Sequence, residues 1–169
     1  MNKKDIVNIL FCGRGGQGVL AAAEVCGWAA VLSGFHVKKS EMHGMAQRGG
    51  SVESHLRFGK EVFSPLIPKG EADFIIPFDG EEFIRLKSFL KNNGVCLVDD
   101  LNRGKGALKG QGRYINVFLL GALSRYLSID KQFWFEAIEI VFAGKNPREN
   151  KGVFLKGREQ GGGTKGDAL

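Results

Sequence analysis

The chain has 169 residues, 43% of them apolar and 25% charged, which fits one globular domain with a real core and leaves little room for a second. No apolar run approaches the roughly 20 residues that a membrane-spanning helix needs, and three scattered cysteines, Cys12, Cys26 and Cys96, argue for reduced thiols in a cytoplasmic protein. The net charge of +6 raises nucleic acid as a ligand, yet Lys and Arg are dispersed, with no basic run interleaved with aromatics, so no nucleic acid and no membrane partner is expected. A phosphate-bearing ligand or an acidic partner accounts for the charge equally well.

In chain order, "MNKKDIVNILFCG" starts basic, but its apolar run is too short for a signal peptide and leads straight into glycines. It predicts a buried parallel strand ending at Gly13. "VLAAAEVCGWAAVLSG" has helical spacing and closes on Gly34, and "FHVKKSE" predicts a second strand, completing a βαβ unit. "HGMAQRGG" (43–50) has no periodicity and predicts a loop. "SVESHLRFG" alternates apolar and polar positions and, with "EVFSPLI", predicts an antiparallel hairpin excursion over 51–67. "ADFIIPFD" predicts a strand, "GEEFIRLKSFLKNNG" an amphipathic helix stopped by Gly94, and "VCLVDD" a further strand. "LNRGKGALKGQGR" (101–113) predicts a loop, followed by two helices in "NVFLLGALSRYL" and "DKQFWFEAIEIVF", the second N-capped by Asp130. From Gly144 the periodicity fades, so 144–169 is expected as a partly flexible extension to a domain over 1–143. The sum is an α/β fold: a single domain with a mostly parallel, Rossmann-like sheet.

Two constellations carry chemistry. In "GRGGQG", Gly13 permits the tight turn, Gly15 a close backbone approach, and Gly18 close packing of helix on strand. Amides near Gln17 and Gly18 can attract an anion; a tight turn without a ligand fits the same spacing. For a dinucleotide, an acid should close the second strand about 20 residues on. Glu41 is roughly placed for this, but Lys38, Lys39 and Ser40 crowd the same strand end. The second constellation, "KKSEMHGMAQRGGSVESHLRFG" (38–59), should emerge beside the glycine loop, because ligands gather at the carboxyl ends of parallel strands. It brings Glu41, His43, Gln47 and Arg48, flanked by Gly44, Gly49 and Gly50. A loop this polar and glycine-rich is costly to order without a partner. Arg48 is the best fixed charge for a phosphate or carboxylate, because guanidinium pairs bidentately; His43 is an acid–base candidate.

"GRGGQGVL", "VKKSEMHGMAQRGGSVESHLRFG" and "SPLIPKGEAD", with "NVFLLGAL" further on, resemble the γ-type subunit of 2-oxoacid:ferredoxin oxidoreductases, and most of all the β subunit of the indolepyruvate branch. The likeness is dense over 6–76 and thinner over 114–143. It implies a subunit of a complex that oxidatively decarboxylates a 2-oxo acid such as pyruvate or indolepyruvate, with coenzyme A as acyl acceptor and electrons passed to ferredoxin. Thiamine diphosphate, Mg and iron–sulfur clusters are then expected on partner subunits, and the isolated chain, which can form a homodimer, is inactive. The resemblance assigns Gly13, Gly15, Gly16, Gln17 and Gly18 to an anion-accepting loop for coenzyme A phosphate or a partner carboxylate. It implies that Ser40, Glu41, His43 and Gln47 line the route to the thiamine site, with Gly49, Gly50 and Ser51 as further cofactor-binding residues.

The residues fit that division of labour. A [4Fe–4S] cluster needs four thiolates, and the chain has three isolated cysteines and no G-D-G segment for a thiamine-bound metal. No metal site is expected here. One departure is that relatives usually carry a longer segment between "VCLVDD" and "NVFLLGAL". Two alternatives stay open: an NAD(P)-binding oxidoreductase domain, or a trimmed, non-catalytic assembly module.

Overall fold

The computed structural model describes residues 6–44, 49–162 and 164–165. Its centre is strand β1 (Val7–Arg14), a run apolar but for Asn8 and buried as far as Gly13, as a strand covered on both faces requires. Helix α1 (Val19–Leu32) follows the glycine loop and ends where Gly34, at φ +83°, turns the chain back. Strand β2 (His36–His43) then runs parallel to β1 but is separated from it by β3 (Ser51–Gly59), which is antiparallel to both. Strand β4 (Ala72–Pro77) pairs parallel on the other side of β1, and β5 (Leu90–Cys96) pairs parallel with β4. The two-residue β6 (Thr164–Lys165) adds an antiparallel edge, giving the sheet order β2-β3-β1-β4-β5-β6.

The α/β fold class and the antiparallel excursion near 51–67 are both present, with a different pairing in the excursion. Residues 51–59 pair with β2 and insert between β2 and β1, while 61–67 carry no strand. Segment 61–67 instead lies along the sheet: Arg57 donates to the Ser64 and Leu66 carbonyls, and the Ile67 N–H donates to His55 Nδ1 at 3.1 Å.

Three further boundaries move. The helix expected over 80–94 stops early, as α2 (Gly80–Leu86) and a 3-10 turn (Lys87–Phe89). Lys91-Asn92-Asn93-Gly94 is poor helix sequence, and Asn93 takes φ +63° where the β4–β5 register shifts. The expected strand over 95–100 ends at Cys96, and 98–107, inside the expected strand and loop, forms α3 (Val98–Ala107). Its glycines lower helix propensity, but Gly104 lets α3 approach α4 (Ile115–Leu123): a Cβ there would lie 2.5 Å from Ile115 Cδ1. Packing therefore overrides propensity. After α5 (Lys131–Val141), residues 147–160 of the expected flexible extension form α6 (Pro147–Gln160), with Pro147 at its first position.

The two faces of the sheet are covered unequally. Ile9, Phe11, Leu56, Phe58 and Ile76 meet α1, α4, α5 and α6 in the larger core. Leu10, Cys12, Ile75 and Cys96 meet Phe83 and Leu86 of α2 and Ile67 in a smaller one. No described helix is long and apolar enough to cross a membrane.

Candidate functional site

The carboxyl ends of β1, β2, β4 and β5 open at one end of the sheet, where β3 begins. There the glycine loop is self-braced. The Arg14 N–H donates to Gln17 Oε1 at 2.7 Å, and the Gln17 N–H donates to the Arg14 carbonyl at 3.1 Å. Gly13 has no room for a side chain, since a Cβ would sit 2.7 Å from both Gln17 Oε1 and Phe78 Cβ. Gly16 and Gly18 adopt φ +91° and +81°, values that disfavour any side chain. Gly18 is the N-cap of α1, and among the described residues no side chain caps that helix, which leaves its first-turn N–H groups without a side-chain acceptor there.

The second predicted segment does meet this loop. The Gly15 N–H donates to the Gly50 carbonyl at 2.9 Å, and the Gly44 N–H donates to the Ser51 carbonyl at 2.7 Å. His43, at the end of β2, lines a hollow of about 380 Å³ with Arg14, Gly15, Gly16, Gly18 and Val52. Gln47 and Arg48 lie outside the described residues. Ser40 and Glu41 are not brought to the loop in the same way. Glu41 faces the α1 side, where Lys39 holds it at 2.9 Å and also pairs with Glu24 of α1. Ser40 stands opposite His55 in the β2–β3 register, on the other face of the sheet from Glu41 and His43.

A charged lattice that sequence reasoning missed fixes Ser51 from the α2 side. Ser51 Oγ donates to Glu82 Oε2 at 2.7 Å, and Arg85 reaches Ser51 Oγ (2.5 Å), Glu82 (2.7 Å) and Glu53 (2.7 Å). Arg14 pairs with Glu81 and, at 3.4 Å, with Asp79, which also caps α2 through the Glu81 and Glu82 N–H groups. The Glu53 carboxyl is held below the usual carboxylate range. The foremost cause is the polar contact from the His55 imidazole, 3.8 Å away; burial opposes it, and the Arg85 guanidinium reinforces it. A β-strand bearing Ser51, Glu53 and His55 at alternate positions was the available signal, since period-2 spacing puts all three on one face.

On the opposite side of the glycine loop lies a larger cavity of about 610 Å³. Gly16, Gln17, Gly18 and Phe78 form one wall, and Leu101, Gly104, Lys105, Leu108, Arg113 and Ile115 form much of the other. Its cations come from the 101–113 segment, whose glycine-rich polar character matched that of 43–50 and was the missed clue.

Cys12, Cys26 and Cys96 are buried on three different elements. Burial pushes all three thiols up, Cys96 to about 12, with the neighbouring Cys96, Glu82 and Glu53 adding to the effect at Cys12. They are protonated core groups.

Comparison with known proteins agrees with this architecture. The sequence profile described as "Pyruvate ferredoxin/flavodoxin oxidoreductase" matches residues 8–160. The indolepyruvate oxidoreductase subunit IorB of Thermococcus kodakarensis is 46% identical over 92 residues, covering 54% of this chain and 46% of that protein. The chain thus spans about half the length of these curated relatives. The keto/oxoacid ferredoxin oxidoreductase γ subunit of Geobacter sulfurreducens superposes with a TM-score of 0.74 at 22% identity, covering 90% of this chain and 96% of that one. The 2-oxoglutarate:ferredoxin oxidoreductase of Magnetococcus marinus, solved with 2-oxoglutarate, coenzyme A and succinyl-CoA bound, superposes with a TM-score of 0.77 at 21% identity. It covers 98% of this chain and 32% of that one, so the present fold corresponds to one part of a larger protein. The profile match extends from β1 through α6, and on that ground the chain belongs to the pyruvate ferredoxin/flavodoxin oxidoreductase family.

Proposed function

We propose that the protein works as a non-cofactor-bearing subunit of a 2-oxoacid:ferredoxin oxidoreductase, which converts a 2-oxo acid and coenzyme A to an acyl-CoA with electrons passed to ferredoxin. The observation that carries this reading is the family match over 8–160 together with the joining of its two sequence signatures, the Gly15 N–H on the Gly50 carbonyl. Thiamine diphosphate, Mg and iron–sulfur clusters belong on partner subunits in a cytoplasmic assembly. With three buried thiols, Cys26 among them in the other core from Cys12 and Cys96, the described chain does not offer the four thiolates that a [4Fe–4S] cluster needs.

In this reading the strand-end surface is what the chain contributes. Gly13, Gly15, Gly16, Gln17 and Gly18 offer backbone amides to a phosphate or a partner carboxylate. His43, with Gly49, Gly50 and Ser51, faces the partner's reaction centre, and the sequence motif gives Gln47 and Arg48 to the same function. Ser40 and Glu41 serve the β2 edge, and Glu41 acts through its pairing with Lys39. The lattice of Glu53, Glu82 and Arg85 positions Ser51 and the Gly50 carbonyl.

The test is copurification with the thiamine-bearing partner, followed by assay against aryl pyruvates, pyruvate, branched-chain oxo acids and 2-oxoglutarate. Coenzyme A-dependent dye reduction with one of these is the expected result. A pair that copurifies but reduces no dye with any of them would favour a non-catalytic assembly role instead.

A further inference from the structure

Strand β2 stands at one end of the sheet order, and among the described residues no strand pairs with its outer edge. Its register with β3 runs unbroken from His36 opposite Gly59 to His43 opposite Val52, and the Gly44 N–H continues it onto the Ser51 carbonyl. Antiparallel bonding alternates along a strand. His36, Lys38, Ser40 and Met42 therefore bond inward to β3, and the N–H and C=O groups of Val37, Lys39, Glu41 and His43 point to the open edge. Sheets guard such an edge with a proline, a bulge or unpaired charge. Strand β2 has no proline and no register shift, and its Lys39 is already engaged by Glu24 and Glu41.

Both faces beside this edge expose apolar side chains. On the α1 face Glu24 reaches Lys39, and Trp28 and Val31, about one and two turns further along the helix, are 38% and 45% exposed. On the other face β2 presents Met42, which is also exposed. Segment 61–67 is tied down on that face by the Val62 N–H on His36 Nδ1 and the Ile67 N–H on His55 Nδ1, and it exposes Phe63 and Leu66. Five of the nine large apolar residues exposed among the described ones thus flank one strand edge, a concentration that marks an interaction surface.

We infer that β2 is the docking edge for a second copy of this chain, joined antiparallel about a two-fold axis at Ser40. Opposed side chains share a face, so the axis of such a pair falls on a residue. About Ser40, Lys39 of each copy stands opposite Glu41 of the other, Lys38 opposite Met42, and Val37 opposite His43. An axis at Lys38, Lys39 or Glu41 would instead set like charges opposite each other. The outward N–H and C=O groups then pair across the axis, and the exposed flanks of the two α1 helices face each other. This pairing is a property of the chain alone and does not rest on the assembly proposed above.

The experiment is sedimentation equilibrium of the whole chain over a range of concentrations, where a monomer–dimer equilibrium is expected. Lys39→Glu and Glu41→Lys each put like charges opposite one another twice, so each should weaken the dimer by about tenfold. An equimolar mixture of these two variants should recover it, because each then meets the opposite charge in the other. Trp28→Glu, at an exposed helix position, should also weaken the dimer by about tenfold while the circular dichroism stays that of the folded chain. A chain that stays monomeric, a dimer that any of the three variants leaves intact, or a mixture no tighter than its components would overturn the inference. So would a β2 edge protected from hydrogen exchange only when the oxidoreductase partner is added, which would give the edge to that subunit.

Discussion

Single residues at the strand ends set what this protein can do. Gly18 combines φ +81° with a close contact to Asn116, so Gly18→Ala should lower stability by about 1–3 kcal/mol in urea denaturation. Gly16, with φ +91° and open space around it, should lose less, and by backbone strain alone. Arg85 yields a prediction in pH. Because the folded-state Glu53 carboxyl is depressed, its stabilisation is present above the ordinary carboxylate value and is lost as pH falls through the lower folded value. Arg85→Ala removes part of that depression, so acid unfolding should begin at a higher pH, while thermal stability near pH 7 falls; an unshifted acid midpoint would show that Arg85 does not hold Glu53. At this scale the sequence was partly legible. The glycine spacing named the loop, because tight turns demand glycine whatever surrounds them. That Gln17 braces the loop, or that Ser40 faces away from His43, depends on side-chain direction and strand register, which spacing alone does not carry.

Among the elements, α6 was the least visible in sequence. "PRENKGVFLKGREQ" has few apolar residues, and its two buried ones, Val153 and Phe154, are adjacent and so show no helical period. The helix is held by close approach to α4. A Cβ on Gly157 would fall 2.0 Å from the Phe118 carbonyl oxygen, and one on Gly121 would fall 2.0 Å from that of Phe154. Phe154 is fully buried, with its ring 5.6 Å from Trp134 and 5.9 Å from Phe135. Phe154→Ala should therefore cost about 3–5 kcal/mol, and Gly157→Val should prevent α6 from docking, seen as loss of protection from hydrogen exchange in both helices. Full stability in either variant would mean that α6 is a detachable extension. The βαβ start, by contrast, was read correctly from periodicity. The insertion of β3 was not, because an alternating strand fits equally well beside either neighbour.

At the scale of the whole molecule, a parallel core of β1, β4 and β5 carries an antiparallel flank of β2 and β3. That insertion brings Gly49–Ser51 against the glycine loop, so both family signatures meet at one end of the sheet. The fold is thus a scaffold for a surface, with its thiols sealed in the core and its loops at the strand ends. Such a chain alone should show no 2-oxo acid-dependent electron transfer. The central claim is tested most directly by assaying dye reduction by the thiamine-bearing partner with a 2-oxo acid and coenzyme A, without and then with this chain. The account predicts activity only when the chain is present; activity of the partner alone, unchanged by adding the chain, would contradict it.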